Sequence, residues 1–132
     1  MKKAKKTLNW LLSACMVVLG SVGAAEAHHN AASQYEVQKA IRFTGVLTSV
    51  EFTNPHAHMR FDVKGSDGST QSWLIEFLSV RGLRTMGITK DLMKLGDTYT
   101  LTISPARDGR PNGLIQTLTF PDGRVFRITP DV

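Results

Sequence analysis

The chain has 132 residues, 16 of them Lys or Arg against 11 Asp or Glu, and a single cysteine. That length holds one small domain and leaves no room for two. One thiol cannot build a disulfide framework or a Cys-based zinc site, so stability has to come from packing.

The first 27 residues read as an export signal. Lys2, Lys3, Lys5 and Lys6 make a basic start, an apolar stretch runs from Leu8 to about Val22, and Ala25-Glu26-Ala27 has the small-x-small pattern of a signal-peptidase site. The expected mature protein begins at His28 in the periplasm. A retained anchor is the alternative, but the stretch is short of the roughly 20 residues that a span requires. A second alternative is a lipoprotein, because Leu12-Ser13-Ala14-Cys15 resembles a lipobox; against it, Met16-Val17-Val18-Leu19 continues the apolar run through that cut. Cleavage after Ala27 removes four basic residues and one acidic residue, leaving 12 against 10 and a net charge of +2. The basic character of the precursor is then mostly targeting, and no nucleic-acid partner is expected.

Residues 28–40, "HHNAASQYEVQKA", lack strand or helix periodicity and predict an extended amino-terminal arm. The domain proper is expected over 41–132. "IRFTGVLTSVEF" predicts a long strand bent near Gly45, "AHMRFDV" a second, and "QSWLIEF" a third beyond the turn "KGSDGST", where Asp67 and Gly68 both tolerate positive φ. Val80, Leu83, Arg84 and Met86 fall at helical spacing, which predicts a helix over 79–86 that Gly87 ends, and Thr89 is placed to cap a further short turn. "TYTLTIS" alternates cleanly, with Tyr99, Leu101 and Ile103 on the inner face, and "GLIQTLTF", Pro121-Asp122-Gly123 and "RVFRI" form a closing hairpin. Five or six strands with one short helix between the third and fourth predict a mainly β, small OB-like barrel, with a β-sandwich as the alternative.

All four histidines fall in two places, His28-His29 and His56-Ala57-His58. On a strand, His56 and His58 would share the outer face with Arg60 and Asp62, while Ala57, Met59, Phe61 and Val63 pack inward. Residues two apart have Cα atoms about 7 Å apart, close enough for both rings to reach one metal. A free amine on His28 could close a chelate with its own ring, and such nitrogen-rich sets favour Cu(II). Solvated histidines on an arm and a turn histidine after Asn54-Pro55 account for the same residues without a metal. Glu76 points away from the core side of its strand and could meet Arg84 or Arg81 in a structural salt bridge. The loop 105–113, "PARDGRPNG", could meet an anionic partner or be a solvated hairpin. No nucleophile elbow, Gly-rich phosphate loop or zincin helix is present, which leaves an enzyme little support.

The "HH" after the signal, "TGVLTSVEFTNPHAHMRFDV", "WLIEF", "LRTMGITKDLMKLGD", "PARDG" and "FPDGR" together resemble a bacterial family of small exported proteins catalogued as a domain of unknown function. The resemblance covers nearly all of residues 28–127 and implies a periplasmic OB-type barrel with no settled reaction. Its pattern covers His28, His29, Asn54, Pro55, His56, Glu76, Gly96 and Asp97. His58 stands where the family pattern has an aromatic or other large residue, and "FLSVRG" where serine-proline or glycine-rich sequence is usual.

The expectation is a periplasmic, non-enzymatic barrel binding a transition metal, Cu(II) foremost, through His28, His29 and His56 with His58 auxiliary. Asn54, Glu76 and Arg84 are further candidates. The alternative is a module that docks a periplasmic protein or small ligand without metal, and a third reading uses Glu76 in an enzyme.

Overall fold

A computed structural model describes residues 31–128. The expected signal, its cleavage site, Cys15, His28 and His29 lie outside the described residues.

Six strands form one sheet: β1 (Ile41–Glu51), β2 (His58–Lys64), β3 (Thr70–Glu76), β4 (Thr98–Pro105), β5 (Asn112–Thr119) and β6 (Val125–Arg127). They run in the order β3-β2-β1-β4-β5-β6, and an additional β3–β5 pairing closes the first five into a barrel. That closure excludes the sandwich and matches the OB-like expectation. β1 makes it possible, because its first half pairs with β4 from Ile41↔Ile103 to Val46↔Thr98 and its second half with β2 from Val46↔Asp62 to Glu51↔His58. The strand changes partners beside Gly45, where a side-chain Cβ would lie 3.0 Å from the Phe61 Cβ and 3.1 Å from the Val63 Cγ2. The expected bend is thus a close approach between neighbouring strands, which only glycine fits without displacing them. A register shift between Leu47 and Ser49 adds to the coiling. On the opposite side, β3 and β5 run parallel through only three residue pairs, Leu74↔Asn112 to Glu76↔Leu114.

Alternation along the strands fills the interior. Met59 and Phe61 of β2, Ile75 of β3, Tyr99, Leu101 and Ile103 of β4 and Leu118 of β5 are all essentially inaccessible. Tyr99 stands edge-on to both Phe61 and Phe120 at 6.0 and 5.4 Å, and its buried hydroxyl accepts from the Lys94 backbone N–H at 3.0 Å. Val63, expected inside, is only half-buried, since it lies near the end of β2 beside the turn.

A short helix, α1 (Val80–Thr85), follows β3 and brings Leu83 into the core. Ser79 caps it by accepting from the Gly82 N–H. At its end Gly87 takes φ +80°, the Gly87 N–H donates to the Arg84 carbonyl, and the Ile88 N–H donates to the Leu83 carbonyl. This is a Schellman cap, completed by the burial of both Leu83 and Ile88. The second turn is a 3-10 segment, Lys90–Leu92, and Thr89 contributes no side-chain cap. Its backbone carbonyl accepts from the Leu92 N–H instead.

Three exposed turns repeat one local device. Asp67, Asp108 and Asp122 each precede a glycine, and each carboxylate accepts from the backbone N–H and the side chain of the residue after that glycine: Ser69, Arg110 and Arg124 respectively. These bonds hold all three carboxyls below the usual carboxylate range. Only the glycines take positive φ, so Asp67 serves as an acceptor and not as a second left-handed residue.

The expected cost of Gly45→Ala is about 1–3 kcal/mol, the usual range for overpacking. Urea denaturation should show a lowered midpoint at an unchanged slope, and an unaltered midpoint would mean that β1 does not press on Phe61 there.

Candidate functional site

The arm is not extended as expected. Residues 31–34 form one helical turn, closed by the Tyr35 N–H on the Ala31 carbonyl at 2.9 Å. Tyr35 then bridges to Ala106, and three hydrogen bonds tie the arm to the β4–β5 connection. The Glu36 N–H donates to the Pro105 carbonyl, the Arg107 N–H to the Gln34 carbonyl, and the Arg107 Nε–H to the Ala32 carbonyl, each at 2.9 Å. Two of the loop's features therefore have internal uses, because Arg107 holds the arm and Arg110 pairs with Asp108 at 2.6 Å. That favours the structured hairpin over an anion-docking loop for residues 105–113.

Tyr35 is 8% exposed, and its hydroxyl donates to the Glu76 Oε2 at 2.7 Å. The other carboxylate oxygen, Oε1, pairs with the Nδ1 of His56. Glu76 thus joins an arm residue to a residue of the β1–β2 connection. Neither Arg84 nor Arg81 meets it, contrary to the salt bridge expected from sequence. The difference follows from the helix position: α1 turns inward with Leu83, while Glu76 points to the outer side of β3.

Burial defines the roles in this group. The Glu76 side chain is 18% exposed and that of His56 50%. A carboxylate largely withdrawn from water needs its oxygens satisfied, and the phenol and imidazole do this. Burial first, and the Glu76 hydrogen bond second, raise the Tyr35 phenol above its ordinary range, so Tyr35 stays a proton donor well past neutral pH. With Nδ1 occupied by the carboxylate, neutral His56 carries its proton there, and Nε2 is left as a lone-pair donor with no partner among the described residues.

His56 is not on a strand. β2 begins at His58, and His56 sits in the connection, where its carbonyl accepts from the Thr53 hydroxyl at 3.4 Å. The alternation expected of the His-Ala-His pair nevertheless holds in burial, since Ala57 and Met59 are inaccessible while His56 and His58 are not. His58 is directly across from Glu76 in the β2–β3 register and shares its outer face. Among the described residues, no three His, Cys, Asp or Glu side chains are grouped so as to hold a metal ion.

Asn54 and Arg84 come together elsewhere, in an open depression of 540 Å³ that Val80, Arg81 and Thr85 complete. Sequence reasoning missed Tyr35 as a site residue. Its available signal was that it is the only aromatic residue between the apolar leader and Phe43.

Residues 16–116 match the model of a family described as "Family of unknown function (DUF6152)". No curated protein and no solved structure matches the chain.

Both tyrosines are held above the ordinary phenol value near 10, Tyr99 chiefly by burial. The folded state thus keeps protons that the unfolded chain loses above that pH. Stability should be insensitive to these groups below pH 10 and fall as pH rises beyond it. A 295 nm titration should show the folded protein ionising later than the urea-unfolded chain, with Tyr35→Phe removing part of the delay; coincident curves would contradict the burial of Tyr35.

Proposed function

The chain belongs to this family of unknown function, and from its geometry we propose that it is an exported periplasmic barrel that binds a transition metal, Cu(II) foremost, without catalysing a reaction. The ligands are His28, with its ring and freed α-amine, together with His29 and the Nε2 of His56, and His58 is auxiliary. The observation that supports this reading is the chain of hydrogen bonds from Tyr35 through Glu76 to His56. A histidine whose Nδ1 is held by a carboxylate has its ring oriented and its Nε2 made more basic, which is the usual support for a metal-ligating imidazole.

The same carboxylate anchors the arm that leads back to the amino-terminal histidines. Ala31 lies one helical turn from Tyr35. The three residues from His28 to Ala31 can span roughly 10 Å when extended. Neither His56 nor Glu76 lines the depression at α1 or the one formed by the arm and Arg107. Binding at an open surface fits that placement better than catalysis in a cleft.

Export follows from the basic, apolar, Ala-x-Ala leader, and no helix among the described residues is long and apolar enough to cross a membrane. The competing reading, a docking module without metal, makes the histidines mere anchors of the arm.

Cu(II) titration of the mature protein decides between them. Tight binding should fall sharply in a His28→Ala, His56→Ala double variant, and equal binding in both at micromolar strength or weaker would overturn the metal reading. Glu76→Gln should weaken binding about 10- to 100-fold. Mass spectrometry of the exported protein should give a start at His28, whereas a lipidated Cys15 would remove the chelating amine.

A further inference from the structure

The depression at α1 is built entirely from hydrogen-bond donors and neutral groups: two guanidiniums, the Asn54 amide, the Thr85 hydroxyl and Val80, with no carboxylate in its lining. Arg81 and Arg84 are three apart and so share one side of the helix. Both are exposed, and neither forms an ion pair with a described carboxylate, unlike Arg110 and Arg124, which their own turns neutralise.

Neither placement is explained by an ion pair among the described residues. Arg81 sits in the first turn of α1, where the helix dipole opposes positive charge and where the helix carries no acidic residue to offset it. Arg84 is in the last turn, where a cation could compensate free carbonyls. However, the Gly82, Leu83 and Arg84 carbonyls already accept from the backbone N–H groups of Met86, Ile88 and Gly87. Two like charges on adjacent turns also repel each other. An anion seated between them would relieve both terms.

We propose that this depression is a binding site for a small multivalent oxyanion. Arg81 and Arg84 would grip its oxygens through their planar forks, and the Asn54 amide would donate a further hydrogen bond. Phosphate and a short dicarboxylate share this oxygen chemistry. The site stands on α1 and Asn54 alone and does not depend on the metal proposal.

The test is an NMR titration of metal-free mature protein with inorganic phosphate and, separately, succinate, against chloride at matched ionic strength. Saturable shifts of the Arg81 and Arg84 Nε–H and the Asn54 side-chain amide are expected, with affinity falling as salt is added. An Arg81→Gln, Arg84→Gln double variant should bind at least tenfold more weakly at unchanged melting temperature, while Arg127→Gln on β6 should bind as the parent does. Tighter phosphate or tighter succinate binding would each support the site and identify its preferred geometry. Binding equal in the parent and the double variant, or shifts that merely track ionic strength, would overturn it.

Discussion

The carboxylate of Glu76 is the point at which the separate parts of this surface meet. It lies at the end of β3, is mostly withdrawn from water, and has one oxygen on the Tyr35 hydroxyl and the other on the His56 ring. Removing either partner would leave a partly buried charge short of a donor, which costs more than the bond itself contributes. Tyr35 and Glu76 are 41 positions apart in the chain, yet this one acid constrains both the arm and the β1–β2 connection. The ordering of His56 is consequently linked to the docking of the arm.

That linkage depends on barrel closure. Glu76 is the last residue of β3 and is paired on both sides, with His58 of β2 and Leu114 of β5. β5 is held in turn by β4, whose far end and following connection carry the bonds to the arm. The short parallel β3–β5 contact therefore does more than complete the barrel. It brings the arm's anchoring loop beside Glu76, while the β2–β3 hairpin positions the loop that carries His56.

Much of this fold was legible because local rules and global packing agree. Tyr99, Leu101 and Ile103 alternate and are buried, Ser79 and Gly87 cap α1 as their chemistry suggests, and each Asp-Gly turn closes a loop. The site was less legible because it is made by contacts between distant segments. Parity correctly placed Glu76 outside the core, but parity says nothing about which remote side chain will arrive there. Arg81 and Arg84 were the candidates nearby in sequence, and the arm supplied Tyr35 instead. Strand parity held through His56 although β2 begins two residues later, because the Ala57 N–H donates to the Leu78 carbonyl and the Phe77 N–H to the Ala57 carbonyl, which keeps Ala57 inside and His56 outside. The family pattern had already separated His56 from His58, and the structure separates them again, one bonded to Glu76 and the other only opposite it in register.

Several charges on the described barrel have local partners. Arg110 and Arg124 are held by the aspartates of their own turns, Lys39 by Glu36, and Arg107 by a carbonyl of the arm. Such exposed pairs add little stability individually, but they fix side chains and cancel local fields. The α1 depression gathers two arginines and one amide with no acid in its lining. It adjoins His56 through Asn54, two residues earlier in the same connection. The β1–β2 connection thus presents an imidazole supported by a carboxylate on one side and an amide beside two guanidiniums on the other. Electron-pair donation and anion recognition are separate chemistries, and here one short segment carries a residue for each.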